Sequence, residues 1–303
     1  MLHIIKKIKT SLFKINKLDD KLNSLMLLQS KFLRSQNWQN QKNILEDIQK
    51  AEYKVFSQYG DDGIIQFLVD YLDINKKSFI EFGVENYLES NTRYLLLENN
   101  WEGLIIDGNK KNMDFVKKDN LYWRHSLTAI HSFVTAENIN TILTSAGFNG
   151  EVGLLHIDID GNDYWIWNAI TCIEPSIVII EYNSLFGNKR SITVPYNPSF
   201  FRTQAHYSNL YYGASLKALI GLSSKKGYEF IGCNAAGNNA YFVKKTLLKD
   251  IQPRTIDDGY VKAKFRESRD KSGKLTYYNS DKQLELIKGL PVYDTLEEKN
   301  TLI

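Results

Sequence analysis

The chain carries only two cysteines, Cys172 and Cys233, among its 303 residues. They form neither a metal-ligand spacing nor a disulfide framework, and a reducing, cytoplasmic setting is the expectation. No apolar run approaches the roughly 20 residues needed to span a bilayer, and the lysine-broken N-terminus lacks a signal peptide's apolar core and small-residue cleavage site. Charge of one sign is also wanting. With 38 basic and 35 acidic residues the net charge is +3, and no basic run is interleaved with aromatics, so a nucleic-acid partner is not expected. Nor does the chain hold a G-x-G-x-x-G turn that would seat a dinucleotide pyrophosphate. What remains is 43% apolar and 24% charged, the composition of one globular core with extensions.

The organising stretch is Ser78 to Asn109, SFIEFGVENYLESNTRYLLLENNWEGLIIDGN. It reads as strand, acidic turn, helix, then a second strand ending on a carboxylate. Phe79, Ile80 and Phe82 form an apolar run that ends at Gly83, where the chain can turn sharply or approach a ligand closely. Leu104 to Ile106 form the second run, ending at Asp107. In open α/β sheets ligands sit beyond the carboxyl ends of the strands, so Glu81, Gly83, Glu85 and Asp107 are expected to face one crevice. Carboxylates there repel a diphosphate. They tolerate a ligand with a sulfonium, an ammonium and a ribose, such as S-adenosylmethionine.

The rest of the chain extends this pattern. Phe56 to Leu72 predicts a helix starting near Asp61 or Asp62, either of which suits a cap, behind a loop Ser57 to Gly60. Lys110 to Lys118 reads as helix, Leu121 to Leu127 as strand, Ala136 to Ala146 as helix, Val152 to Asp158 as strand, and Tyr164 to Ile170 as helix. Ser176 to Ile180 is a β-branched strand ending at Glu181, buried on both faces. Tyr228 to Cys233 and Asn239 to Lys244 flank AAGN and pair only as an antiparallel hairpin. The expected fold is α/β and Rossmann-like: a mostly parallel seven-stranded sheet that ends in an antiparallel hairpin, the arrangement of S-adenosylmethionine-using methyltransferases.

Three segments flank or interrupt it. Residues 1–50 are expected to be a helical extension, residues 51–250 the core domain, and residues 251–303 a C-terminal extension that wraps the domain or stays loose. The extension at the start has apolar residues at Ile8, Leu12, Ile15, Leu18, Leu22, Leu25, Leu28 and Phe32, stepping by threes and fours. A coiled coil making a homo-oligomer, a basic helix on an anionic membrane through residues 1–20, and a helix on the protein's own core all fit this seam. Ser184 to Tyr212 holds seven aromatics with Pro195 and Pro198, and its aperiodic length suits a lid or substrate wall.

The ends of the fourth and fifth strands gather HIDIDGND (156–163) and Glu181 in one crevice. Asp158, Asp160 and Glu181 suit Mg²⁺, which takes one or two carboxylates plus waters and substrate oxygens. A hydroxyl attacking a methyl sulfonium must lose its proton, and His156, His206, Asp160 and Asp163 are the candidate bases. Trp165 and Trp167 read as core or crevice wall.

The runs FSQYGDDGII, FIEFGVENYLESNTRYLLLENNWEGLIIDGN, LLHIDIDGNDYWIW and IVIIEYN resemble the FkbM-like S-adenosylmethionine-dependent methyltransferases over roughly residues 55–245. The resemblance implies that Glu81, Gly83, Glu85, Ser90 and Asn91 surround the methionine part and that Asp107 binds ribose; Asp158, at the end of the fourth strand, is a further expected cofactor contact. The family's K-I-D-x-E-G is replaced here by HIDIDG, which brings the site closer to metal-dependent sugar O-methyltransferases. The function expected is O-methyl transfer to a sugar or glycan-type acceptor. A methyltransferase-fold scaffolding protein without catalysis is the alternative.

Overall fold

The computed structural model describes residues 2–303, with side chains at residue 18 and from residue 21 onward. Ten strands are present: β1 (Ser78–Phe82), β2 (Glu102–Asp107), β3 (Leu127–His131), β4 (Gly150–Ile157), β5 (Ile173–Glu181), β6 (Ile192–Thr193), β7 (Tyr228–Cys233), β8 (Asn239–Lys244), β9 (Pro291–Asp294) and β10 (Lys299–Leu302). Seven of them form one sheet in the order β3-β2-β1-β4-β5-β8-β7. Neighbours from β3 to β5 run parallel, whereas β8 is antiparallel to both β5 and β7. This is the expected sheet, mostly parallel and seven-stranded with an antiparallel hairpin at its end.

Alternation along the strands sends successive side chains into two separate cores. Ile80, Phe82, Leu104, Ile106, Leu155 and Ile157 point into one, and Phe79, Ile105, Leu154, Ile177 and Ile179 into the other. Ile177 to Ile180 are fully buried, the signature of a strand covered on both faces. Strand order reverses between β1 and β4, and a crevice opens beyond their carboxyl ends, where α/β sheets hold ligands.

Two expectations need correction. The strand expected at 121–127 begins at Leu127; a short helix, Asn120–Arg124, precedes it because Asp119 accepts the Leu121 amide at 2.8 Å as its cap. The boundary drawn at residue 50 cuts through the core, since Ile44, Ile48 and Ala51 are buried in it. Of the two alternatives for the C-terminal extension the structure takes wrapping: β9 and β10 form a hairpin, and β9 pairs with β6 of the 184–212 segment, Ile192 opposite Asp294 and Thr193 opposite Tyr293.

The N-terminal helix spans Leu2–Gln39. One of its faces is seated on the core: Ser30 Oγ meets Tyr94 Oη at 2.9 Å, and Arg34 grips Asp70 through two bonds of 2.5 Å. The other face leaves Leu18, Leu22, Leu25, Leu28 and Phe32 between 47% and 66% exposed. Ile8, Leu12 and Ile15 of the expected seam lie outside the described side chains. Among the described residues no helix is long and apolar enough to cross a membrane.

Candidate active site

A cavity of about 920 Å³ occupies the crevice beyond β1, β2 and β4. Gly83 sits at its floor with φ +73°, and a Cβ there would lie 1.7 Å from the Asp158 carbonyl oxygen. Glycine is therefore required by the crossing of two loops: the turn after β1 passes over the end of β4 with no room for a side chain. The close approach that the sequence pointed to is made to the protein's own backbone.

The turn after β1 folds around Glu81, which is buried. Its Oε1 accepts from the Asn91 amide and meets His156 Nδ1, both at 3.0 Å. Its Oε2 accepts from Ser90 Oγ at 2.6 Å, from the Thr92 amide at 3.1 Å and from the Thr92 hydroxyl. Burial works against the charge, but the bonds to His156, Ser90 and Thr92 hold the carboxyl below its usual range. His156 faces Glu81 in register across β1 and β4. Burial opposes its protonation, and the bond to Glu81 outweighs this and raises its pKa. Its second nitrogen, Nε2, meets Asn91 Nδ2 at 3.0 Å. Both ring nitrogens thus hold the turn in place, and Glu81, Ser90 and Asn91 touch the cavity from within this network.

Asp107, at the end of β2, faces the same cavity. One oxygen accepts from the Glu85 amide at 2.8 Å and the other from the Asn109 amide at 2.6 Å. Asn112 Nδ2 also donates to Asp107 Oδ1 at 3.4 Å; a carboxylate has about four acceptor sites, so one, on the oxygen that faces Glu85, remains for a hydroxyl of a ligand. Glu85 itself lines the cavity and adopts φ +47°, a conformation that side chains rarely hold.

The FSQYGDD segment braces this turn from outside. Neither aspartate is the cap of the helix Asp61–Tyr71, whose N-cap is Gly60. Asp62 Oδ2 instead turns back to accept the amides of Val55, Phe56 and Ser57 at 2.7–2.8 Å. Asp61 ties the helix to the β7–β8 hairpin through Tyr241 Oη at 2.5 Å and Asn239 Nδ2 at 3.0 Å. With the loop so fixed, Gln58 reaches the cavity.

The chemical centre lies at the ends of β4 and β5. Carboxylate oxygens of Asp158, Asp160 and Glu181 all lie within 4.8 Å of one another. Burial and then the charge of Asp160 push Asp158 up to about 7. Burial and the charges of Asp158 and Asp160 raise Glu181 well above the usual carboxyl range, and its Oε2 is buried without a hydrogen-bond partner. Arg202 supplies the one guanidinium here. It pairs with Asp160, donates from Nε to the Asn209 carbonyl at 2.8 Å, and lies 3.8 Å from the centre of the Tyr212 ring. Burial opposes its charge, but Tyr212, Asp160 and Glu181 raise its pKa further.

Asp163 and His206 are not brought to the cavity lining. Asp163 is buried and accepts the Ile159 and Gly161 amides at 2.8 and 2.9 Å, which shapes the turn that leaves Asp160 at φ +57°. His206 bonds Ser208 Oγ through Nδ1 at 2.7 Å within the 184–212 segment. Trp167 is buried in the core, while Trp165 donates to the Val194 carbonyl at 2.9 Å and so anchors that segment. Arg202 and the aromatic roof were missed from sequence. Phe201 reaches across to stack on Phe133, with centroids 6.4 Å apart, and Phe200 fills the space where Gly161 would carry a Cβ, which would lie 2.3 Å from its ring. The Pro195–Pro198 composition marked this segment as a cover, but nothing in an aperiodic stretch tells which residue points inward.

No protein-family model matches the chain, and no curated protein sequence matches it. Among solved structures it is similar to the N-terminal domain of EvdMO1 with SAH bound, at 9% identity over 62% of this chain and 80% of that one, TM-score 0.40. It is also similar to an O-methyltransferase from Bacillus cereus in complex with SAH, at 12% identity over 58% and 76%, TM-score 0.37. A third similarity is to an S-adenosylmethionine-dependent methyltransferase from Clostridium acetobutylicum, at 9% identity over 60% and 89%, TM-score 0.37. Likenesses at these scores carry no chemistry over to this chain.

Proposed function

We propose that this chain is an S-adenosylmethionine-dependent O-methyltransferase of the FkbM-like kind, acting on a hydroxyl of a sugar or glycan-type acceptor. The charge of the crevice carries the reading. Eight acidic side chains line the cavity, among them Glu81, Asp107, Asp158, Asp160 and Glu181, against three basic ones, Lys110, His156 and Arg202. Such a lining disfavours a phosphorylated cofactor and favours one with a sulfonium and an ammonium. The volume, about 920 Å³, falls within the ~300–1,000 Å³ of small-molecule sites.

Bound there, S-adenosylmethionine supplies an electrophilic methyl group. Asp107 would hold the ribose through the acceptor site that its own partners leave free. Transfer would join the acceptor oxygen to that methyl carbon as the carbon–sulfur bond breaks, and the part left to the protein is to take the hydroxyl proton. Asp158, with its pKa near 7, is matched to accept that proton at neutral pH. Arg202 pairs with Asp160 beside it. Because three carboxylate oxygens lie within 4.8 Å, a second reading has Asp158, Asp160 and Glu181 hold Mg²⁺, which lowers the pKa of a hydroxyl. Chelator separates the two: it abolishes methyl transfer only if the metal reading holds.

Calorimetry with S-adenosylmethionine tests the cofactor. Asp107→Ala is expected to weaken binding by about 1.5–3 kcal/mol, the scale of charge-assisted hydrogen bonds. Absence of any heat from the unaltered protein would remove the assignment.

The exposed ridge of the N-terminal helix favours pairing of two copies through a coiled coil. Leu22→Glu with Leu25→Glu is expected to lower the mass seen by light scattering. Unfolding should shift by less than about 0.5 kcal/mol, as for exposed positions. An unchanged mass would dismiss the pairing, and flotation with anionic vesicles would then test the membrane reading.

A further inference from the structure

A second, smaller cavity of about 270 Å³ adjoins the first and shares Glu181, Arg202, Gln58 and Glu267 with it. Its outer wall belongs to the C-terminal extension: Phe265, Arg266 and Gln283 line it. We propose that this cavity is the acceptor subsite, that it takes a single sugar ring, and that Phe265 is a specificity-determining residue for it. The inference rests on the larger cavity being the cofactor site.

Position is the first argument. A ligand in the smaller cavity is bounded by Glu181 and Arg202, which also border the larger one, so a hydroxyl on its inner edge lies at the junction where methyl donor and acid cluster meet. Size is the second, since 270 Å³ is just under the ~300 Å³ where sites for drug-sized ligands begin. Chemistry is the third. Tyr59 and Phe265 stack with centroids 5.2 Å apart and planes inclined by 26°, giving an apolar wall. Gln58, Asn238 and Glu267 supply polar edges. Sugar rings present the same pair of properties, C–H faces and hydroxyl rims.

The wall is built to hold still. Gln283, 3% exposed, donates from Nε2 to the Phe265 carbonyl at 3.2 Å. Tyr260 Oη donates to the Ser184 carbonyl at 2.7 Å, and the Ala263 amide donates to Ser184 Oγ at 3.1 Å. The Arg269 amide bonds the Ser208 carbonyl at 3.3 Å. A subsite ordered in advance loses less freedom on binding.

The experiment uses the full chain with S-adenosylhomocysteine bound and saturation-transfer NMR against a mixture of methyl glucoside, galactoside, mannoside and rhamnoside. At least one is expected to receive saturation. Phe265→Ala should weaken its binding at least tenfold, Phe265→Tyr should retain it within threefold, and calorimetry should keep cofactor-product affinity within twofold in both. Phe265 is 38% exposed, so its truncation leaves the core intact. Calorimetry of the unaltered protein with S-adenosylhomocysteine is run first and reports on the larger cavity alone. No heat there overturns the cofactor reading and this inference together. Cofactor-product binding with no saturation of any sugar, or sugar binding indifferent to Phe265→Ala, overturns the inference and leaves the cofactor reading standing.

Discussion

Gly83→Ala is expected to lower the unfolding free energy by about 2–5 kcal/mol and to remove cofactor binding. Two effects add. A non-glycine residue at φ +73° costs about 1–2 kcal/mol. Forcing a methyl into a packed junction costs about 1–3 kcal/mol more, and here the Cβ would meet the Asp158 carbonyl at 1.7 Å. Only separation of the β1 turn from the β4 end relieves that contact, and this displaces Asp158 along with Glu85. Urea unfolding measures the first effect and calorimetry the second. Gly108→Ala is the control, because its Cβ would meet only a Phe133 ring carbon at 3.5 Å, and stability should barely change. A loss below about 1 kcal/mol for Gly83→Ala would refute the crossing as described.

The second large effect is a gain in stability at the expense of function. With a pKa of about 7 in the folded protein against a reference value of 3.8, Asp158 keeps a proton on folding that the unfolded chain has lost. The folded state is therefore favoured most at acidic pH, and this contribution disappears as pH rises from about 4 through 7. Asp163 and Asp62, both pushed up to about 6 by burial, act in the same direction. Asp158→Asn removes the ionisation. In chelator, to exclude stray cations, it should stabilise the protein by about 1–3 kcal/mol at pH 8, the partly open crevice reducing the full linkage value. Near pH 4 the difference should vanish. Methyl transfer should fall by about 10²–10⁴-fold, the worth of a general base. Unfolding curves of variant and parent that stay parallel from pH 4 to 8 would refute this account.

Much of the sheet was legible because its strands are short apolar runs with clear ends. Tyr228–Cys233 and Asn239–Lys244 emerge with the bounds expected of them, since AAGN between two such runs permits only a hairpin. The meeting of Asp158, Asp160 and Glu181 was legible for a related reason: acids just past the carboxyl ends of adjacent parallel strands share a crevice. Pairing geometry at longer range was not legible. The Leu121–Trp123 run looks like a strand until Asp119 is seen capping it as a helix. Glu81 and His156 looked like ligand-facing groups, and only the β1–β4 register reveals that they face each other. Arg202, Phe201 and Phe265 lie on segments without periodicity, so their direction depends on which distant strand the segment joins.

That dependence has a temporal side. Strand β6 pairs with β9 across about a hundred residues of chain, Ile192 with Asp294, whereas the parallel strands β1 to β5 all have one another's partners in place once Glu181 is made. On a ribosome adding roughly 5–20 residues per second, the roof must wait about 5–20 s after β6 has been made before its partner strand exists. For that interval the nascent protein carries a finished floor of acids beneath a cover held by Trp165 and Ala214 but not yet clamped by β9. A nascent chain stalled before residue 291 should therefore show protease cleavage within 184–212 and protection across β1 to β5.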